Sequence, residues 1–162
     1  MSHAPFGITT GRIFETHLKT IDLTRATEFY GGVLGLEEAY RQPERQVAFY
    51  WIGAPGNAML GVWAVSEEDW HSSHFAFEIT EDAIEPAIER LKSAGIRVND
   101  FWGDESDDPS VHAWMPAVGI FFRDPDGNSL EFVAMLLGEG QPDLGIVSLS
   151  EWRSQAVVAL NP

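Results

Sequence analysis

Two mostly apolar segments of the chain each carry a candidate chemical group on one side of a predicted strand. Segment 74–79 places aromatic and aliphatic residues at its odd positions and His74 and Glu78 at even positions, and segment 129–135 places Glu131 between apolar neighbours. Successive side chains of a β-strand point to opposite faces, so this alternation predicts two half-buried strands. An isolated carboxylate on such a strand is costly to bury unless it is paired, hydrogen-bonded or metal-bound.

The chain contains two halves with the same predicted order of one strand, one helix and three further strands. Thr24 and Gly35 bracket the first helical pattern, and Thr80 and Gly95 bracket the second, as a typical N-cap and C-terminal stop would. The predicted segments are strand 13–22, helix 24–34 and strands 37–42, 46–53 and 58–65, then strand 74–79, helix 81–94, a strand beginning at 96–98 and the hairpin of 119–123 with 129–135.

The second half is 14 residues longer than the first between its opening strand and its last hairpin turn. The extra residues fall in the polar stretch 100–117, which we interpret as a partly ordered flap beside the site because it carries aromatic residues. The predicted organisation is one domain over 1–135, with module one at about 13–65 and module two at about 73–135, followed by a C-terminal extension over 136–162.

Composition narrows the classes of function. The 162 residues carry a net charge of −15 and 44% hydrophobic residues. A strongly acidic chain does not fit nucleic acid or an anionic membrane, both of which need a basic patch. The chain has no cysteine, which excludes disulfides and thiolate metal sites. No apolar run is long enough for a transmembrane helix, and no signal peptide is visible, so we expect a cytoplasmic protein.

His17, His74 and Glu131 occupy matched places in the two halves. Each histidine opens the first strand of its half, and Glu131 lies on the last strand of the second half. Two imidazoles and one carboxylate at the same level of a sheet can hold a divalent metal and leave one side open to a ligand. A single histidine on a strand is more often structural, but two histidines and a glutamate at equivalent places of a repeat favour a metal site.

The order and spacing of these segments resemble the vicinal oxygen chelate superfamily, which includes glyoxalase I, bleomycin-resistance proteins, type I extradiol dioxygenases and fosfomycin-resistance proteins. The resemblance implies an α+β fold in which two βαβββ modules form a curved half-barrel sheet around a central cavity, and it implies a homodimer. The matching segments, within about residues 13–135, are Thr16-His17-Leu18 with Asp22-Leu23, Phe29-Tyr30 with Leu34-Gly35-Leu36, His74-Phe75-Ala76-Phe77, and Asp124-Pro125-Asp126-Gly127-Asn128 leading into Leu130-Glu131-Phe132.

By position, the resemblance implies that His17, His74 and Glu131 bind one divalent ion, with iron, manganese, zinc and nickel all open. Glyoxalase I has a fourth ligand on the last strand of the first module, where this chain has Leu60 or Gly61, and neither binds a metal. The three-ligand set is more similar to iron dioxygenases and manganese-dependent fosfomycin transferases. No basic residue that would hold a phosphonate follows closely after Glu131.

Further residues are predicted around this site. We predict Glu78 and His112 as catalytic residues. We predict Tyr50, Trp63 and Phe121 as substrate-binding residues.

The sequence therefore predicts a metal-dependent enzyme of this superfamily that acts on a small oxygenated substrate. Dioxygenase, lyase, isomerase and transferase chemistry all remain open, because one fold can host several reactions. The alternative is a ligand-binding protein that sequesters a drug or metabolite without catalysis, as bleomycin-resistance proteins do. A third possibility is an interaction module in which Trp152 and the C-terminal extension matter more than the cavity.

Overall fold

The computed structural model describes residues 11–160, with side chains described through residue 155. The chain divides into two compact units, Met1–Asp69 and Trp70–Pro162. Each unit contains one open β-sheet, of four strands in the first unit and five in the second. The predicted α+β class with two modules is confirmed.

The first unit contains a mixed sheet with strand order β1-β4-β3-β2, in which β1 runs parallel to β4. A short α-helix continues as a π-helical segment before β2, and a 3-10 turn at Pro43–Arg45 joins β2 to β3. The elements are β1 (Glu15–Thr20), α1 (Leu23–Thr27), the π-helical segment Glu28–Val33, β2 (Glu38–Gln42), β3 (Val47–Ile52) and β4 (Ala58–Ala64).

The second unit has strand order β5-β8-β7-β6-β9, in which β5 runs parallel to β8 and the other neighbours are antiparallel. The C-terminal segment adds β9 to the edge of this sheet. The elements are β5 (His74–Glu78), a 3-10 turn at Glu81–Ala83, α2 (Ile84–Ser93), β6 (Ser110–His112), β7 (Ala117–Arg123), β8 (Ser129–Met135), a 3-10 turn at Pro142–Leu144, β9 (Ile146–Ser148) and α3 (Leu149–Leu160).

One face of each sheet is buried in the core of its unit, and the other carries the candidate chemistry. Strand alternation places Leu18 in the buried set of the first unit and His17 on the opposite face. In the second unit, Leu130 is 0% exposed and belongs to the buried set, whereas Glu131 faces the other way. The alternation read from the sequence therefore sorts these residues correctly.

Two details of the predicted elements are wrong. The first helix begins at Leu23 and its N-cap is Asp22 instead of Thr24, because the Asp22 carboxylate accepts a hydrogen bond from the Arg25 amide at 3.0 Å. The strand predicted to begin at 96–98 does not form. Asn99 instead makes two isolated β-bridges, one with Phe121 and one with Glu105.

The stretch 100–117 contains a strand of the sheet in addition to loop. Strand β6 lies between β7 and β9, and its Val111 is 0% exposed. The aromatic residues of this stretch differ in their surroundings. Phe101, Trp102 and Trp114 are exposed, whereas His112 belongs to β6. Among the helices of the described residues, none is both long and apolar enough to cross a membrane.

Candidate functional site

The second unit brings two imidazoles onto one buried carboxylate. Glu131 lies on β8 between β5 and β7 and is 7% exposed. His74 Nε2 lies 3.6 Å from Glu131 Oε2, and His112 Nε2 lies 3.7 Å from Glu131 Oε1. Each oxygen of the carboxylate therefore faces a different imidazole. No other hydrogen-bonding side chain of the described residues contacts this carboxylate.

A glycine on the intervening strand lets His112 approach Glu131. His112 lies on β6 and Glu131 on β8, so β7 separates them in the sheet. On β7, Gly119 pairs with Ser110 on one side and with Val133 on the other. A Cβ at Gly119 would overlap Glu131 Oε1. The carboxylate therefore occupies the space that any other residue at position 119 would fill.

His74 is oriented by its neighbour on β8. Its Nδ1 lies 3.2 Å from both the carbonyl oxygen and the hydroxyl oxygen of Ser129. A carbonyl oxygen only accepts hydrogen bonds, so this contact favours the tautomer in which Nδ1 carries the proton. The unprotonated Nε2 then faces Glu131, which is the tautomer a metal ligand requires. Phe121 stacks on the ring with centroids 6.4 Å apart.

The pair of His74 and Glu131 fits a divalent ion by chemistry and by spacing. Two ligands that each lie about 2.1 Å from one ion are about 3.0–3.4 Å apart, close to the separation of these two side chains. A buried carboxylate without an ordinary hydrogen-bond donor is the group that a cation would stabilise. Over the described residues, no group of three or more histidine, aspartate or glutamate side chains has the spacing of a complete metal site.

In the first unit, His17 lies in an aromatic environment beside a carboxylate. Its ring centroid is 6.2 Å from that of Phe49 and 5.7 Å from that of Trp63. Its Nε2 lies 2.8 Å from Glu15 Oε1. Arg45 covers the Trp63 ring at 4.7 Å from the ring centroid. Trp63, predicted to bind substrate, therefore shares the face of His17.

The register of the first sheet decides which residue stands opposite His17. His17 pairs with Gly61 on β4, and a Cβ at Gly61 would lie 2.6 Å from His17 Cδ2. Leu60 points to the other face and is 0% exposed. On the face of His17, β4 thus presents Met59, Gly61 and Trp63, none of which has an oxygen or imidazole ligand.

Two other predicted residues lie away from these clusters. Tyr50 belongs to the buried face of the first sheet, where it is 1% exposed. Burial raises the pKa of Tyr50. Glu78 is exposed at the end of β5, two residues beyond Ala76, which pairs with Glu131. The structure does not bring Tyr50 together with His17.

Glu15, Ser129 and Gly119 touch candidate ligands but were not predicted from the sequence. Glu15 lies two positions before His17 on the same strand, so the alternation that selected His74 and Glu78 would have found it. Gly119 carried no such signal, because its importance depends on a contact between β7 and β8.

The comparisons with known proteins agree with this architecture. Residues 12–132 match the family model of the Glyoxalase/Bleomycin resistance protein/Dioxygenase superfamily. An integron cassette protein from the mobile metagenome of the Halifax Harbour sewage outfall is 30% identical, with a TM-score of 0.69, and the match covers 78% of this chain and 100% of that one.

Two further solved structures share the fold at lower identity. The oxidase ChaP-H2 is 21% identical with a TM-score of 0.63, and the match covers 82% of this chain and 100% of the oxidase. Lactoylglutathione lyase from Agrobacterium tumefaciens is 24% identical with a TM-score of 0.59, over 77% of this chain and 94% of the lyase. The repeated module, the matched strands and the family model together establish that the chain belongs to the glyoxalase, bleomycin-resistance protein and dioxygenase superfamily.

Proposed function

We propose that this protein is a metal-dependent enzyme of the superfamily, with His74 and Glu131 as two of its metal ligands and a small oxygenated molecule as its substrate. The observation that carries the proposal is the Glu131 carboxylate, which is 7% exposed and has an imidazole nitrogen facing each of its two oxygens. Burying a carboxylate in this way costs free energy that a bound cation would offset.

The residues around the pair have distinct parts in this proposal. Ser129 holds the His74 ring so that Nε2 is free to bind, and Phe121 supports the ring from one side. His112 lies against the other oxygen of Glu131, where it is a candidate acid or base for the substrate. A bound divalent ion would act as a Lewis acid towards two neighbouring oxygens of the substrate.

The third metal ligand and the assembly of the protein are proposed on the family resemblance. His17 is the ligand that the resemblance assigns to the first module, and it stays a prediction. Glu78 as a catalytic residue, Tyr50 as a substrate-binding residue, the homodimer and the cytoplasmic location are carried forward in the same way. The reaction type stays open among dioxygenation, lyase, isomerase and transferase chemistry, because the same ligands serve all of them.

Metal binding is the first property to measure. We expect near-stoichiometric metal in the purified protein by elemental analysis, and saturable binding of manganese, zinc, nickel or anaerobic iron to the metal-free protein by calorimetry. Metal at a hundredfold excess over its dissociation constant should stabilise the protein by about 2.7 kcal/mol. For a chain of this length, that raises the melting temperature by about 5–10 °C.

Variants separate the assigned ligands from nearby charge. Loss of a residue that only supports a metal ligand typically weakens metal binding by about 10–100-fold. We expect His74→Ala and Glu131→Gln each to weaken it more than that, because each removes a ligand. His17→Ala tests the ligand predicted for the first module. Glu89→Gln on the exposed face of α2 is the control for lost charge and should bind metal normally.

Failure of every ion to bind after reconstitution would contradict the enzyme proposal. Sequestration of a small molecule without catalysis, the alternative raised by the sequence, would then be the function to test. Normal metal binding in Glu131→Gln would contradict the assignment of the site while leaving metal dependence in place.

A further inference from the structure

A small cavity in the second unit lies beside the candidate metal ligands. Its volume is 210 Å³. The cavity is formed by the turn after Asn99, the end of β7 and the first residue of β8. Its lining residues are Asn99, Asp100, Phe101, Trp102, Gly103, Phe121, Phe122, Arg123 and Ser129.

Three of the lining residues of this cavity, Phe101, Trp102 and Phe121, are aromatic and contact one another. Phe101 packs edge-on against Trp102 at 5.0 Å between ring centroids and against Phe121 at 5.9 Å. Phe101 is nevertheless 41% exposed and Trp102 is 72% exposed. Aromatic rings prefer edge-to-face or offset-stacked partners, so exposed ring surface beside a cavity favours a planar aromatic ligand over a saturated one.

The turn that presents these rings is held by its own hydrogen bonds. Asp100 Oδ1 accepts the backbone amides of Trp102 and Asp104, both at 2.9 Å. The Phe101 amide donates to Ser110 Oγ on β6 at 2.9 Å. The backbone that carries both rings is therefore tied to the sheet, which lowers the entropy lost when a ligand binds.

The lining residues of the same cavity include one cation, Arg123. Arg123 Nη1 donates to the Gly127 carbonyl oxygen at 2.8 Å. A guanidinium has five N–H donors in a planar fork that suits a carboxylate, so this bond leaves donors for a ligand. Arg123 precedes the hairpin turn in the sequence, but its pairing with Ser129 places it near Glu131, two residues along β7 from Phe121, which pairs with Glu131.

Ser129 connects the cavity to the proposed metal ligands. It lines the cavity, and its carbonyl and hydroxyl oxygens lie 3.2 Å from His74 Nδ1. Phe121 also lines the cavity and stacks on the His74 ring. A ligand in the cavity therefore lies next to the residues that orient His74.

We propose that this cavity binds a planar aromatic ring that carries an anionic group, with the ring against Phe101 and Trp102 and the anion on Arg123. As an assignment of substrate class, the inference rests on the proposed function. Binding itself requires no metal, so it can be tested on the metal-free protein.

Three matched probes separate the contribution of the ring from that of the charge. Benzoate and cyclohexanecarboxylate carry the same charge on a planar and a non-planar ring, and benzamide keeps the planar ring without the charge. We would titrate each probe into the ¹⁵N-labelled, metal-free protein and follow amide and indole signals by NMR. We expect benzoate to bind about 2- to 12-fold more tightly than cyclohexanecarboxylate. We expect the affinity for benzoate to be at least about threefold higher than that for benzamide.

Variants assign each preference to its residue. Trp102→Ala should reduce the preference for the planar ring, because only Phe101 then remains to contact it. Arg123→Gln should abolish the preference for the charge. Arg123→Lys keeps the charge without the fork and should retain part of the second preference. Trp114→Ala and Arg90→Gln alter another exposed tryptophan and another arginine outside the cavity lining, and should bind the probes as the unaltered protein does.

Several results would overturn the inference. One is the absence of any NMR shift at the cavity residues with all three probes. Another is equal affinity of benzoate with either cyclohexanecarboxylate or benzamide. The last is that Trp102→Ala and Arg123→Gln leave the preferences for ring and charge unchanged. A thermal melt of each variant separates loss of fold from loss of contact. If the probes do not bind but metal binding is normal, the proposed function stays intact. If the probes bind as expected but no metal does, the cavity is a binding site without a metal centre.

Discussion

Two glycines make room for candidate ligands, one in each unit. In the first unit, a Cβ at Gly61 would lie 2.6 Å from His17 Cδ2. In the second unit, a Cβ at Gly119 would overlap Glu131 Oε1. Glycine in the middle of a strand lowers stability because it gives up packing and backbone entropy. At both positions, the side chain of a candidate ligand occupies the space that a Cβ would fill.

Gly119→Ala should displace the Glu131 carboxylate and weaken metal binding. The added methyl group and Glu131 Oε1 cannot occupy the same space, so the side chain must rotate away from His112 or the strand must shift. Overpacking of this kind typically costs about 1–3 kcal/mol of stability. We expect metal affinity, measured by calorimetry, to fall by about tenfold or more, as for loss of an outer-shell contact.

A double-mutant cycle distinguishes this displacement from general destabilisation. In the Glu131→Gln background, Gly119→Ala should cause little further loss of affinity, because contacting residues are non-additive. Gly32→Ala is the matched control, since that glycine is exposed and a Cβ there meets nothing within 4 Å. Unchanged metal binding in Gly119→Ala would show that position 119 does not position the carboxylate.

For individual residues, the sequence predicted those side chains whose position depends only on the local strand pattern. His74 and Glu131 could be placed on one face because strand alternation needs only the order of residues. Gly119, the contact of His112 with Glu131 and the place of Arg123 in the cavity could not be predicted. Each depends on which strands are neighbours and in what register, and a one-residue slip would reverse every face.

Among the secondary-structure elements, α3 is tied to the loop before β6 by one carboxylate. Asp108 accepts hydrogen bonds from the Ser150 amide at 3.1 Å and from the Ser150 hydroxyl at 2.6 Å. Burial raises the pKa of Asp108, but these bonds and those from Ser148 and Leu149 lower it more, so the net pKa lies below its ordinary value of 3.8. The carboxylate thus acts as an N-terminal cap supplied from outside the helix.

Asp108→Ala should loosen the start of α3 without unfolding the sheet. Loss of a capping side chain typically costs about 0.5–2 kcal/mol. Because the pKa of Asp108 is lowered by folding, its contribution is present above the unfolded-state pKa and is lost as the pH falls through the folded-state pKa. The difference from the unaltered protein should therefore be full at neutral pH and shrink as the pH falls below the ordinary pKa of 3.8.

Hydrogen exchange of the first turn of α3 measures this effect directly. Faster exchange at residues 149–155 with unchanged exchange in β7 and β8 is the expected pattern. Asp104→Asn is the control, because no hydrogen bond or ion pair of its side chain is found among the described residues. Equal exchange in the two variants would show that Asp108 does not cap the helix.

The elements that the sequence predicted well are those with long alternating or helical patterns, such as the hairpin of β7 and β8 and helix α2. Strand β6 was missed because it has only three residues and follows Pro109. Its formation depends on pairing with β7 and with β9, which lies 34 residues later along the chain. Strand propensity over such a short segment is decided by those partners.

For the whole molecule, charge is the property that bears on ligands. The net charge is −15, with 25 acidic and 10 basic residues. Such a field raises the local concentration of cations and lowers that of anions. A divalent ion is therefore attracted to the protein at long range, whereas an anionic ligand must be held by a local cation such as Arg123. The two proposed ligands differ in this respect.

Metal association should therefore slow as salt is added. The Debye length falls from about 10 Å at 0.1 M to about 3 Å at 1 M ionic strength, which screens all but the nearest charges. We expect the association rate constant for manganese, followed by stopped-flow tryptophan fluorescence, to fall by about tenfold over this range. The dissociation rate should change less, because the nearest contacts of the ion lie within the screening length. Sodium perchlorate at matched ionic strength should give the same fall as sodium chloride. An association rate independent of ionic strength would mean that the acidic surface does not steer the ion, and that its charge serves solubility alone.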